Sequence, residues 1–564
     1  MKTSFKRLIC LLLMVPPLFL HAQEQDITAL TGAASIEELD EDEYERLESL
    51  RTAPVLINSA SLAQLQSCGL FTRFQALSIT DYRARNGAIL SAAELGLIDG
   101  FSPGQARALA PFLSFFSRVL PGQTERKRLS HDVLARTEYR NGSSGYAAKY
   151  RLTGDGKVSL ALTARSTAKE KPGAPDTWSF HAVRYFRKRT GKIMLGDYNA
   201  RFGQGLALWN GFSMSGLTTV ESFARHPTGL SPAWSLSPDG PLRGVAGDLC
   251  FRNVSLSAAA AFPGLRARMD GNPKASVSAF GAFNVAWTGR EAELSATAVW
   301  GPEEKGPASK LSADFRWTPG QVGYFGETAW DLRSRSLAAV GGLIWSPAYQ
   351  KKVSVLVRHY PVGFGADLSG GVRAGSRSSG ESGIAAGVRL PWLRLTADYA
   401  RMPAREIAQT RLLCLLPLAL PKDWTLTPRV SLRWRNGILR EEYRIETAWT
   451  GSSWQARLRS DLVRCSGTAW LSYLEGGHKT ERWRIYARAG IFKVDDWDDR
   501  IYVYERDAPG CFNVPAYYGR GFNASLVGGI QWQRHKLFLR IGGIRYVTDK
   551  PGRLECRLQY SWSR

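Results

Sequence analysis

Between Trp424 and Trp449, apolar and polar residues alternate through two runs, WTLTPRVSLRW and LREEYRIETAW. Asn436-Gly437 stands at the junction. That dipeptide suits a two-residue type I′ turn, because both central residues need φ > 0. A hairpin is predicted in which Trp424 faces Trp449, Pro428 faces Ile445, Val430 faces Tyr443 and Trp434 faces Leu439. These share one face, since successive side chains alternate. The other face pairs Arg433 with Arg440 and Ser431 with Glu442, and carries Arg429, Arg435, Arg444 and Glu446. Glu441 alone falls among the apolar set. At ~3.3 Å per residue and a tilt of ~40°, Trp424 and Trp434 lie about 25 Å apart along a membrane normal. That is the height of the apolar band of an outer-membrane barrel, with an aromatic residue at each rim.

The alternation recurs from His131 to Arg564. Val158, Leu160, Leu162 and Ala164 interleave with Ser159, Thr163 and Arg165; Leu393, Leu395, Ala397 and Tyr399 with Arg394, Thr396 and Asp398; Trp483, Ile485, Ala487 and Ala489 with Arg484, Tyr486 and Arg488. Turn signals separate such runs at Gly154-Asp155-Gly156, Thr190-Gly191-Lys192, Thr288-Gly289-Arg290 and Thr318-Pro319-Gly320. The chain ends on an amphipathic run, Leu554, Cys556, Leu558, Tyr560, Trp562. Residues 131–564 therefore read as a large antiparallel transmembrane β-barrel of about 22–26 strands, with a lumen that a plug can fill. Two stretches break the pattern, 203–243 and 495–521, and read as long loops that lie outside the barrel or fold into it.

The first 130 residues follow other rules. Leu8 to Leu20 is apolar, too short to span a bilayer, and preceded by Lys2, Lys6 and Arg7, so residues 1–22 read as a signal peptide. Residues 23–50 form an acidic leader with ten acids and one base, helical or unstructured, its charges expected to be solvated. Residues 51–118 contain four capping boxes, S/T-x-x-E/Q, starting at Ser61, Thr72, Ser91 and Ser102. The first and third, and the second and fourth, stand at the same separation, which marks a duplicated helix–turn–helix unit. Residues 119–130 form a basic linker.

The duplicated unit resembles tandem helix-hairpin-helix domains of the competence DNA-receptor type. The resemblance rests on Leu56-Ile57-Asn58-Ser59-Ala60, Tyr82-Arg83, Asn86-Gly87, the two hairpins and Ala110-Pro111-Phe112. In that family the hairpin backbone holds a DNA phosphate. The matching positions are Gly69, Leu70 and Arg73 in one hairpin and Gly100, Phe101 and Ser102 in the other. Both hairpins depart from the family's G-h-G form, with Phe71 and Ser102 in place of the second glycine. The fold thus carries over better than DNA binding does. Gly196-Asp197-Tyr198, Arg201 to Leu206, Trp209 to Phe212, Arg243-Gly244-Val245 and Ile501 to Glu505 further resemble a Gram-negative outer-membrane family that joins such repeats to a C-terminal barrel. That resemblance implies an outer-membrane location with the helical domain in the periplasm. Arg201, Gly203, Gln204, Gly205 and Arg243 are its candidate inward-loop and pore residues.

The formal charge is +24 over 564 residues, and residues 121–564 hold 64 bases against 37 acids. Arginines lining a water-filled lumen account for this; attraction of polyanions is the sharper reading. Six cysteines follow the signal peptide, without metal-ligand or redox spacing, so no metal and no cofactor is expected. His226, near Glu221 and Ser222, is the one histidine with catalytic company in an irregular stretch. No GxSxG elbow occurs. The reading is a non-enzymatic outer-membrane scaffold or transport component, in contact with outer-membrane lipid and with periplasmic or outer-membrane proteins. The alternatives are a DNA-binding or DNA-uptake protein and, behind it, a barrel hydrolase.

Overall fold

A computed structural model describes residues 23–33, 35–39, 41–116, 129–154, 157–171, 173–186, 190–211, 217–236, 240–262, 279–301, 309–548 and 550–564. The signal-peptide reading (1–22) and most of the linker lie outside these residues.

Twenty-four antiparallel staves close into one barrel, within the range expected from the sequence. The ring is sealed by the first strand, Leu129–Arg140, against the last, Arg553–Ser563, with Asp132 opposite Ser563. Both barrel termini therefore lie at one end, the termini end. The long connections 202–241, 361–380 and 495–518 all leave from the far end.

Alternation sets which side chains meet which medium. On strand Val158–Lys169, Leu160 and Leu162 are 42% and 47% exposed, whereas Ser159 and Thr163 are only 8% and 4% exposed. A soluble sheet buries the opposite set. Here the apolar residues form the outer surface and the polar ones face inward, as lipid on one side and a polar lumen on the other require. Trp483, Ile485, Leu395 and Tyr399 are likewise exposed on the outside.

The hairpin Trp424–Arg435/Ile438–Thr450 has the register read from its turn, including Trp424 opposite Trp449 and Val430 opposite Tyr443. Asn436 and Gly437 take φ of 49° and 83°, as a type I′ turn demands. Arg429, Ser431 and Arg440 are buried on the lumen side. Glu441 does face outward, opposite Leu432 on one side and Arg464 on the other.

The N-terminal segment is not a solvated leader followed by a separate domain. Helix Glu41–Thr52 runs through residue 50. Ile27, Ile36, Leu39, Tyr44 and Leu47 share one apolar core with Ile57, Leu65, Ile79, Leu95, Leu109 and Phe112. A parallel strand pair, Val55–Leu56 with Leu113–Ser114, ties the two ends of the duplicated unit together. The Asn58 side chain clamps its halves, donating to the Ile89 and Phe115 carbonyls (2.9 Å each) and accepting from Ile89 N (2.8 Å).

All four capping serines and threonines cap their helices. The first two boxes are reciprocal. In the third, Glu94 instead accepts from Leu90 N and from the Tyr82 hydroxyl (2.7 Å each). Leu97 is exposed, because the helix Ala92–Leu95 has ended before it.

Candidate functional site

The helical domain sits inside the barrel. The sequence suggests a periplasmic domain whose acidic leader is solvated; the leader's carboxylates are instead buried against lumenal bases. Leader carboxylates meet the basic lumen. Glu37 pairs with Arg459 and, at 3.9 Å, with Arg444. Glu38 pairs with Arg429 at 3.2 Å. Glu45 pairs with Lys149 and accepts from the Ser235 hydroxyl at 2.6 Å. Arg394 donates to the Gly32 carbonyl at 2.6 Å. Near the termini end, Phe74 N donates to Glu293 (3.3 Å) and Asp99 lies 3.7 Å from Arg290. Unpaired ions in such a place would be costly, so acids and arginines stabilise each other only when the domain is docked. Burial opposes ionisation of Glu37, yet Arg459 and Arg444 outweigh it and hold the carboxyl well below its usual range.

Both inward stretches grip this arrangement. In 495–518, Tyr504 joins the domain's core, meets the Tyr44 hydroxyl at 3.0 Å and donates its N–H to Glu37 at 2.9 Å. Glu505 and Asp507 pair with lumenal Arg540 and Arg557. In 202–241, Glu327 accepts from Gln204 N (2.6 Å), Leu206 N (3.0 Å) and Ala207 N (3.2 Å). A Cβ on Gly203 would come within 2.7 Å of that carboxylate, at a φ of 57°, so the turn needs glycine there.

Between domain and wall runs a cavity of about 1310 Å³. Arg373, Arg389, Arg411, Arg429, Arg433 and Arg440 line it, together with Arg201 at the end of strand Gly191–Arg201 and Arg225 of the inward loop.

The hairpin candidates Gly69, Leu70, Gly100, Phe101 and Ser102 all border this cavity. They face barrel arginines, and their positions are engaged. Arg46 donates to the Cys68 carbonyl (3.0 Å), at 2.7 Å from where a Gly69 Cβ would stand. Gln75 donates to the Gly100 carbonyl (2.7 Å). Phe71 is buried edge-on to Phe101, and Ser102 caps Pro103–Leu109. These packing roles account for the missing glycines. Arg73 points to a separate small cavity with Lys192, Asp248 and Arg316.

Of the loop candidates, Gly203, Gln204 and Gly205 form the turn on Glu327. Arg201 stacks on Trp209 beside the main cavity. Arg243 is fully buried, holding Asp197 (2.8 and 2.9 Å) and the Trp178 carbonyl (2.6 Å), so it braces the wall and does not line the cavity.

His226, Ser222 and Glu221 are not assembled for catalysis. Ser222 donates to the Thr219 carbonyl (2.6 Å), Glu221 pairs with Lys352 and Arg389, and His226 meets Arg316 at 3.4 Å. Enclosure by protein, then Arg316 and Arg46, lower the His226 pKa to about 3, although its ring opens on the cavity. The six cysteines are free thiols.

Sequence reasoning missed the plug contacts and the residues lining the cavity from neighbouring staves. The charge asymmetry, an acidic leader before a basic barrel, was the signal for the former.

No family model and no curated protein matches the chain. Solved structures similar to it are large barrels. The P pilus usher (PapC) translocation pore is 9% identical, matching 77% of this chain and 99% of that one, at a TM-score of 0.38. The Escherichia coli P pilus tip assembly intermediate PapC-PapD-PapK-PapG is 10% identical, over 79% of this chain and 62% of that one, at 0.47. Pseudomonas aeruginosa OpdQ is 8% identical, over 78% and 99%, at 0.28.

Proposed function

We propose that this chain is an outer-membrane transport barrel whose N-terminal helical domain is its resident plug. The observation that carries this reading is the set of ion pairs from Glu37, Glu38 and Glu45 to lumenal Arg459, Arg444, Arg429 and Lys149. They join an acidic segment to a basic wall, and Glu37, Glu38 and Glu45 find these buried partners only in the docked state. A barrel of this strand number encloses a lumen far wider than a solute, so an unplugged form would leak. The apolar outer band supports the membrane placement, and the termini end, with its tight turns, faces the periplasm by the usual barrel rule. The reading is non-enzymatic. The helix-hairpin-helix resemblance then describes a fold reused for docking.

The test is deletion of residues 23–116 behind the intact signal segment. In planar bilayers the intact chain should be nearly closed, and the deleted chain, still heat-shifted on a gel as a closed barrel, should conduct steadily. Equal conductance from both folded forms refutes the plug.

A further inference from the structure

We propose that Arg411, Arg433 and Arg440 form a lumenal site for a small solute carrying several oxyanion groups, such as phosphates or carboxylates. The inference rests on the transport reading and names its cargo class. The three arginines occupy one cross-strand row: Arg411 stands opposite Arg433, and Arg433 opposite Arg440. Neighbouring strands lie ~4.8 Å apart, so the row places three guanidinium groups along about 10 Å of wall. Like charges directly opposite each other destabilise a sheet unless something neutralises them.

A neighbouring row supplies the comparison. Arg429 stands opposite Arg444, and there the plug provides Glu38 and Glu37. Among the described residues, no plug carboxylate pairs with Arg411 or Arg433. Asp398, the register partner of Arg411, accepts both its bonds from Arg358 (2.7 and 3.2 Å). Glu442 is taken by Arg440 at 2.7 Å. Glu221 is taken by Arg389 and by Lys352, the latter at 3.0 Å. Arg440 also reaches the Asp498 and Arg500 carbonyls, which fixes its position. Among the described residues, Arg411 and Arg433 have no ion-pair partner, and both open on the 1310 Å³ cavity. Guanidinium forks bind phosphate and carboxylate bidentately. The cavity has room for a small polyanion and none for a duplex.

Calorimetric titration of pyrophosphate, and separately of citrate, into the detergent-purified full chain tests this. Pyrophosphate is expected to bind with one-to-one stoichiometry, more weakly as salt rises. Arg411→Ser and Arg433→Ser should each raise Kd by about tenfold, corresponding to ~1.4 kcal/mol. Arg545→Ser, an exposed arginine on the outer face, should leave Kd unchanged. Citrate binding that responds in the same way assigns carboxylates to the site; pyrophosphate alone assigns phosphates. Equal losses in all three variants, or no saturable binding, overturn the inference. If the plug-deletion conductance result holds while binding fails, only the cargo class falls. If that conductance result fails, the transport reading falls whatever the titration gives.

Discussion

Glu37 and Arg459, 422 positions apart in the chain, form a buried ion pair inside the barrel, with side chains 9% and 2% exposed. Arg459 also holds Asp461, and its neighbour Arg444 reaches both acids. The pair thus fastens the helical domain to the wall. Glu37→Gln should weaken docking by roughly 3–5 kcal/mol, the usual effect of removing one partner of a buried pair. Protease digestion of purified protein should then release fragments of the helical domain, while the barrel keeps its heat-dependent gel shift. A digestion rate equal to that of the native protein would count against the fastening role.

Docking should weaken in acid. Released, Glu37 titrates near 4.3; docked, it titrates well below its usual range. A group depressed in the docked state contributes fully above about pH 4.3 and loses that contribution as pH falls through its docked value. Bilayer conductance is expected to rise on acidification below about pH 4. In Glu37→Gln the part of this rise owed to Glu37 should vanish. An identical pH profile in both proteins would remove Glu37 from the mechanism.

The inward turn depends on Glu327. Glu327→Ala leaves the Gln204, Leu206 and Ala207 amides without their acceptor, at about 1–3 kcal/mol for each buried orphan. Hydrogen exchange at these amides should accelerate, whereas amides in the strand Trp424–Arg435 should not change. Retained protection across 203–207 would show that the turn holds without the carboxylate.

On the outer face, Val430→Arg should reduce assembly, by about 2–4 kcal/mol near the bilayer midplane. Leu432→Arg should be milder, because Glu441 stands directly opposite and can pair with the new charge. Arg433→Ser, on the lumen side, should assemble normally. Surface quantities of the folded barrel measure all three, and equal quantities would refute the facing assignment.

Duplex DNA should not bind the full-length protein at about 200 mM salt, where few phosphate contacts give little affinity. The hairpin residues Gly69, Leu70, Gly100, Phe101 and Ser102 border the internal cavity, out of a duplex's reach. Fluorescence anisotropy of a labelled duplex measures this. Submicromolar binding lost in Gly69→Val with Gly100→Val, in protein that retains its gel shift, would make DNA handling the leading reading.

Period-two alternation with aromatic ends, read along the chain, was enough for the barrel, for the register at Asn436-Gly437 and for the facing of Val430 and Arg433. These depend on neighbours a few residues apart and on a side-chain period that a one-residue slip would invert. The capping residues Ser61, Thr72, Ser91 and Ser102 were legible for the same reason, since each cap closes within its own turn. The docking of the helical domain was not legible. Ten acids in one short segment look solvated in sequence, and their partners Arg429, Arg444 and Arg459 lie some 400 residues away on staves whose curvature brings them to one wall. The roles of Arg243 and Glu327 were hidden likewise, because burial and loop re-entry come from barrel closure. The unpaired Arg411–Arg433 row is the clearest case. Alternation places each on a lumenal face, but only the register between strands, and the capture of Asp398 by Arg358, leaves them facing each other with no ion-pair partner among the described residues.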